Sequence, residues 1–343
     1  MSQNRIQTFD LLKGIAVIFM IQVHIVELFA SQYFFNSHIG KILLFLGGPP
    51  VAPIFLIAFG FFIAKSNKNM LQLFQRGFYI LIVGLLLNIA LNFNLITSVW
   101  RGRFDIDVMP YIFGVDILIN AGIVLLIMAF IKYFIKDNVV FLIIIVAITA
   151  FLGGFMMNYT CEHGALQYIL SVFYGTSRWS YFPIFPWLSY TMSGYIFFFL
   201  LKKLDFNKID TFNIKIISGI SFLVFLFFTF NYAVDIASDL QNYYHHRLVF
   251  FLWVIAFAGF YGFFVNETEK LLGKSLIFRY IKWLGENVTL VYIIQWIIIG
   301  NIATEIFKTV LSEYSLMLWY VSILAATSII AYLLLKIRRK IFN

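Results

Sequence analysis

The sequence predicts an all-α, polytopic integral membrane protein with about ten transmembrane helices and both termini in the cytoplasm. Three observations predict it. First, 62% of the 343 residues are hydrophobic and only 12% are charged, against about 25% charged in a soluble domain; mean hydropathy is +0.90. Second, the apolar residues gather in ten runs, each long enough for a hydrocarbon core of about 30 Å at about 1.5 Å per residue. Third, Lys and Arg alternate between the connections. Together these exclude a disordered chain, a coiled coil and an ordinary cytosolic enzyme. The runs are unbroken, unlike the alternating strands of an outer-membrane barrel.

The spans read 9–30, 47–64, 77–96, 111–131, 139–157, 182–201, 214–231, 248–265, 287–304 and 316–335. In hydrocarbon the backbone must satisfy its own polar groups, which leaves helices for every one of them. The connections are short and no internal repeat or low-complexity tract is visible, so 1–343 reads as a single transmembrane domain. With the N-terminus inside, nineteen Lys and Arg fall on inner segments, Arg5 and Lys208 among them. Six fall outside: Lys41, Arg101, Arg103, Arg178, Arg247 and Lys308. Such a bias sets topology and accounts for the net charge of +9, so nucleic acid is not an expected partner. The lone Cys161 excludes an intrachain disulfide and a multi-cysteine metal site; no metal is expected. The first run is too long for a signal peptide and has Lys13 inside its start. Connections 97–110 and 158–181 are long and rich in Trp, Tyr, Arg and Asp, which points to folded caps or re-entrant segments.

Four histidines, His38, His163, His245 and His246, fall in outer connections. His24 lies in the outer third of the first span, fifteen residues beyond Phe9, or about 22 Å along the axis. Glu27 follows it by three residues and shares its helix face. An imidazole beside a carboxylate is what a general base needs, because the carboxylate fixes the tautomer and stabilises the imidazolium. The plainer reading has Glu27 reaching the outer surface and His24 bonding a neighbouring helix. Asp116 reads as an acid inside the fourth span, with Asn120 four residues on; it is expected to face a cavity, pair with Arg247, or orient His24 or an acceptor. The plainer reading is an interhelical hydrogen bond, as for Asn88, Asn92, Asn287, Tyr292 and Gln295. Asp10 is expected to cap or charge the helix start. His245-His246-Arg247 suits an acidic acceptor; adjacent histidines diverge too far for a metal site. The 42 phenylalanines read as lipid-facing and interhelical packing.

The segment Asp10-x-x-Lys13-Gly14-(x)9-His24 resembles the opening helix of the acyltransferase-3 membrane acyltransferases. The rest of the chain is similar to a neighbouring family, the bacterial relatives of heparan-alpha-glucosaminide N-acetyltransferase. The segments that carry this are Gly47-Gly48-Pro49-Pro50-Val51-Ala52-Pro53-Ile54-Phe55-Leu56 with Gly60, Phe182-Pro183-Ile184-Phe185-Pro186-Trp187-Leu188 with Gly194-Tyr195, and Leu284-Gly285-Glu286-Asn287-Val288-Thr289-Leu290-Val291-Tyr292. Their succession spans most of the chain. Gln295-Trp296 departs from the pattern, standing where relatives often show a histidine.

The resemblance implies a transferase that takes an acyl group, commonly acetyl, from cytosolic acyl-CoA. It would deliver that group to an amine or hydroxyl of a sugar or envelope lipid across the bilayer, in a bacterial cytoplasmic membrane. The two families place the catalytic histidine differently: the first at His24, the second in the following connection, where His38 is the nearest counterpart. Glu27 or Asp116 would be the supporting acid. Lys13, Arg76 and Lys65 would meet the CoA phosphates, although topology and snorkelling explain the same charges. Arg247, Trp187 and Asn120 would bind the acceptor. The chain leaves room for a homo-oligomer. The rival readings are a proton-coupled transporter or lipid-linked sugar flippase with His24, Glu27 and Asp116 as its relay, and a non-catalytic sensor on the same scaffold.

Overall fold

A computed structural model describes residues 6–161, 164–175, 179–203 and 211–342. Arg5, His163, Arg178 and Lys208 lie outside the described residues. The helices are α1 Gln7–Leu28, α2 Gln32–Phe35, α3 His38–Gly47, α4 Ala52–Lys65, α5 Met70–Leu91, α6 Phe93–Trp100, α7 Met109–Ile112, α8 Ile117–Phe134, α9 Val139–Phe155, α10 Gly164–Phe173, α11 Ile184–Lys203, α12 Phe212–Ser238, α13 Leu240–Tyr244, α14 Leu248–Leu272, α15 Leu276–Glu286, α16 Val288–Ile306 and α17 Glu313–Phe342. Among the described residues ten helices are long and apolar enough to cross a membrane.

Several boundaries differ from the sequence reading. The second span begins at His38 and runs to Lys65, because Ser37 caps α3 by accepting the Gly40 N–H at 3.0 Å. The Gly48-Pro49-Pro50 turn then bends the chain between α3 and α4. His38 is therefore the first residue of a helix rather than part of a connection. The fourth span starts at Ile117: Asp116 is its N-cap, accepting the Ile117 N–H at 2.7 Å. The third ends at Leu91, and Asn92 opens the separate α6. The connection 97–110 holds the end of α6 and the start of α7, and α10 lies within 158–181.

The described residues fall into two compact units, one within Met1–Ala52, Leu85–Ile112 and Gly262–Asn343, the other within Pro53–Gly84 and Phe113–Tyr261. In the first, α1 is central. Its buried residues Leu11, Ala16, Val17, Met20, Ile21 and Ile25 point all round the helix, the pattern of a helix enclosed by others. Its most extensive neighbour is α15, followed by α3. The α1–α15 crossing is close at both ends: a Cβ on Gly14 would overlap the Ile281 carbonyl, and one on Gly285 would overlap that of Asp10. Beyond α1 the chain runs beside 308–310. Lys308 N–H donates to Leu28 O at 2.8 Å, Val310 N–H to Phe29 O at 2.9 Å and Ser31 N–H to Val310 O at 2.8 Å.

In the second unit α11 is central, packed on α9 and α8. Ser189 and Thr149 hydroxyls meet at 2.7 Å, and Gly60 and Gly194 each lie against backbone of the opposite helix, at Thr191 and Ile57. Small residues permit such approaches where hydrocarbon tails supply no hydrophobic drive. The core around Leu125, Met128, Leu188, Met192 and Tyr195 fills the space between. By contrast α12 exposes much of its surface, Phe227 and Phe228 most of all, and buries Ala233 and Ala237.

Candidate active site

His24 rises from the second half of α1. Its Nδ1 lies 3.3 Å from Gln295 Oε1, and its ring lies on Trp296 with centroids 3.8 Å apart and planes tilted by 31°. Gln295 and Trp296 are consecutive on α16, and Gln295 is 0% exposed. An amide oxygen only accepts, so it is His24 Nδ1 that carries the hydrogen and donates. The lone pair is then at Nε2, the atom a general base needs. The residue that orients His24 is thus Gln295, rather than Glu27 or Asp116 as helical spacing and depth suggest.

Glu27, one turn further along α1, sits within electrostatic reach of Lys308. Lys308 has a positive φ of 58°, held by its bond to Leu28 O, and its ammonium lies 3.9 Å from the Phe35 ring centre. Burial pushes this ammonium down from its ordinary pKa, and Glu27 opposes that fall. Lys308 entered the sequence reading only as a topology charge. The signal that could have found it is a lone Lys in an otherwise basic-poor outer connection. His38 is exposed at the start of α3 and makes no side-chain hydrogen bond to another described residue.

On the same unit, Lys13 pairs with Asp10 at 2.9 Å. Asp10 does not cap α1, whose N-cap position, Ile6, has no side-chain cap bond; it places a buried negative charge in the first turn instead. Asn88 and Asn92 donate to the carbonyls of Ile112 and Tyr111, at 3.0 and 3.3 Å.

The chain matches the acyltransferase domain family (acyltransferase-3) over residues 6–341. It belongs to that family. No curated protein and no solved structure matches it. An acyltransferase-3 protein with ten such helices is an integral membrane acyltransferase, at work in a bilayer on an acyl donor and an acceptor. The motifs that carry its resemblance are, in part, helix crossings: Gly14 and Gly285 face each other's helices, and so do Gly60 and Gly194.

The other residues singled out in this acyltransferase lie in the second unit. Asn120, buried, donates to Phe182 O at 2.9 Å. Trp187, 0% exposed, donates to Tyr244 O at 2.8 Å and packs on Phe182. Asn120 and Trp187 thus hold the chain at 182 from two sides, and both donors are spent on backbone. Asp116 is a helix cap at the end of a span rather than an acid inside it. Arg247 is exposed and lies on Gly154. Arg76 is exposed on α5, and Lys65 is half-buried at the end of α4. His245 and His246, adjacent to Arg247, are buried, not open to an acceptor. His246 takes a hydrogen bond from Tyr190 OH at 2.8 Å and donates from Nδ1 to Tyr243 O at 2.7 Å. Among the described residues no group of three or more His, Cys, Asp or Glu is placed to hold a metal.

Proposed function

We propose that this membrane acyltransferase moves an acyl group, acetyl first of all, from cytosolic acyl-CoA to an amine or hydroxyl of an extracytoplasmic glycan or envelope lipid. His24 is the general base. The observation that carries this reading is the His24–Gln295 contact, which leaves Nε2 as the basic atom. The acceptor heteroatom attacks the thioester carbonyl carbon while Nε2 takes its proton. The tetrahedral adduct then collapses, the C–S bond breaks, and the leaving thiolate takes the proton back from the imidazolium. The products are the acylated acceptor and free CoA thiol. Apolar walls favour this chemistry by keeping water from the thioester.

Lys13, on the helix that carries His24, meets the donor phosphates in this proposal. The Lys and Arg bias supports cytoplasmic termini, in a bacterial inner membrane, with the whole chain acting as one domain. The three motif segments support kinship with the heparan-alpha-glucosaminide N-acetyltransferase-like branch. A carrier reading loses support from the position of Asp116, since a helix cap is a poor relay group within the span.

The test uses proteoliposomes, labelled acetyl-CoA and a panel of amino- and hydroxyl-sugar acceptors. Wild type transfers label; His24→Ala loses 10²–10⁴-fold, the usual contribution of a general base; His38→Ala stays within about threefold. Undiminished transfer by His24→Ala overturns the assignment.

A further inference from the structure

Two buried nitrogens lie on residues that touch His24. Gln295 spends its oxygen on the imidazole, yet its amide Nε2 has no acceptor among the described residues. Trp296 stacks on the same imidazole, and its indole Nε1 is also buried without an acceptor. Native structures pair nearly all buried donors, and an unpaired one carries a desolvation penalty that calls for a reason. Here two unpaired donors stand on consecutive residues, both in contact with the proposed base. Two N–H groups on consecutive residues, without a protein acceptor among the described residues and beside one imidazole, suit an incoming acceptor atom.

We infer that the Gln295 amide N–H and the Trp296 indole N–H donate hydrogen bonds to the acyl carbonyl oxygen, and hold it as it becomes an oxyanion. This rests on the reading of His24 as the base of an acyl transfer. When the acceptor heteroatom bonds to the carbonyl carbon, the C=O π pair moves onto oxygen. That charge needs donors already in place, in surroundings poor in water, where preorganised dipoles act most strongly. When the oxyanion re-forms C=O, the C–S bond breaks and sulfur leaves with the electron pair. Gln295 therefore serves both halves of the reaction. Its oxygen orients the base and its nitrogen faces the charge that the base helps to create. The amide is planar, so fixing the oxygen on Nδ1 also fixes the direction of the N–H bonds. The Gln22 amide, two residues before His24, is likewise buried without a hydrogen-bond partner among the described residues, but i and i+2 do not share a helix face, and it is not part of this site.

Two variants test the inference in the proteoliposome assay. Trp296→Phe keeps an aromatic ring on His24 and removes the N–H. Gln295→Glu keeps an oxygen for Nδ1–H and removes the amide donors. Each is expected to lower kcat by 10²–10³-fold, the loss usual for one such donor. KM for acetyl-CoA and thermal stabilisation by CoA stay within about threefold of wild type. Retention of wild-type kcat within about threefold by either variant overturns the inference, as does a rise in KM with kcat unchanged, which marks ground-state binding only. Failure of the underlying reading looks different: wild type then transfers no label, or His24→Ala transfers it normally. If one variant does not fold, as judged by its melting curve, the other decides.

Discussion

The ammonium of Lys308 lies 3.9 Å from the centre of the Phe35 ring. Two unusual features put it there: a left-handed backbone at a lysine, with φ of 58°, and a strand-like pairing of 308–310 with 28–31. The countercharge of Glu27 is thereby anchored to the end of the helix that carries His24.

Lys308→Gly and Lys308→Ala separate the turn from the charge. Both delete the ammonium, but only glycine adopts positive φ freely. The alanine variant is expected to be less stable than the glycine variant by about 1 kcal/mol. Both remove the cation near Glu27 alike, so the difference in melting temperature between them reads the backbone alone. Equal melting of the two would show that the backbone conformation carries no penalty.

Gly14 and Gly285 form one crossing from opposite sides. Alanine at either is expected to force α1 and α15 apart and to lower stability by about 1–3 kcal/mol, as overpacking does. The double variant is expected to lose less than the sum, since the first substitution already opens the contact for the second. A double-mutant cycle on melting in detergent measures this; strict additivity would mean that the two sites are independent.

Acid should loosen the α13–α14 region. Burial holds His245 and His246 down to about 4 from 6.5. Tyr190 and Tyr243 face His246, and the two imidazoles oppose each other's charging; Arg247 follows in sequence. The unfolded chain therefore binds more protons than the folded one between about pH 4 and 6.5, and stability rises with pH across that window. It is complete above about pH 6.5 and falls as pH drops toward 4. Each histidine contributes a loss on the order of 2 kcal/mol between pH 6.5 and 5. Melting curves at pH 7 and 5 should differ by several degrees, and the His245→Gln, His246→Gln double variant should flatten the difference. An unchanged pH dependence in that variant would assign it elsewhere.

Lys13→Gln is expected to raise KM for acetyl-CoA five- to tenfold with kcat nearly unchanged, the signature of a lost ground-state contact with phosphate. Because Lys13 already pairs with Asp10, stability should fall as well. Asp10→Asn should reproduce that fall without the KM effect. A KM shift of the same size in Asp10→Asn would make Lys13 a structural partner only.

Much of the architecture was legible from residues alone. Hydrocarbon thickness imposes span length, and a helix is the one way to satisfy the backbone there, so ten apolar runs mean ten helices. Errors arose at the ends, where single side chains decide: Ser37 opens a helix at His38, and Asp116 caps one that was drawn through it. Neither capping bond leaves a hydropathy signal.

The sequence makes His24 a candidate, because an ionisable group at membrane depth stands out against its surroundings. It could not name the partner. Glu27 was the near neighbour by helical spacing, but Gln295 lies 271 residues away along the chain and meets His24 only when α16 docks beside α1. The same docking supplies Trp296, and the turn at 308–310 supplies Lys308. Local periodicity reports which face of one helix a residue occupies; which residue of another helix arrives opposite is a property of packing, set by close crossings such as Gly14 on Ile281. Membrane insertion was thus written in composition, whereas the partners of His24, Gln295 and Trp296, were decided by tertiary structure, because only helix packing brings distant segments together.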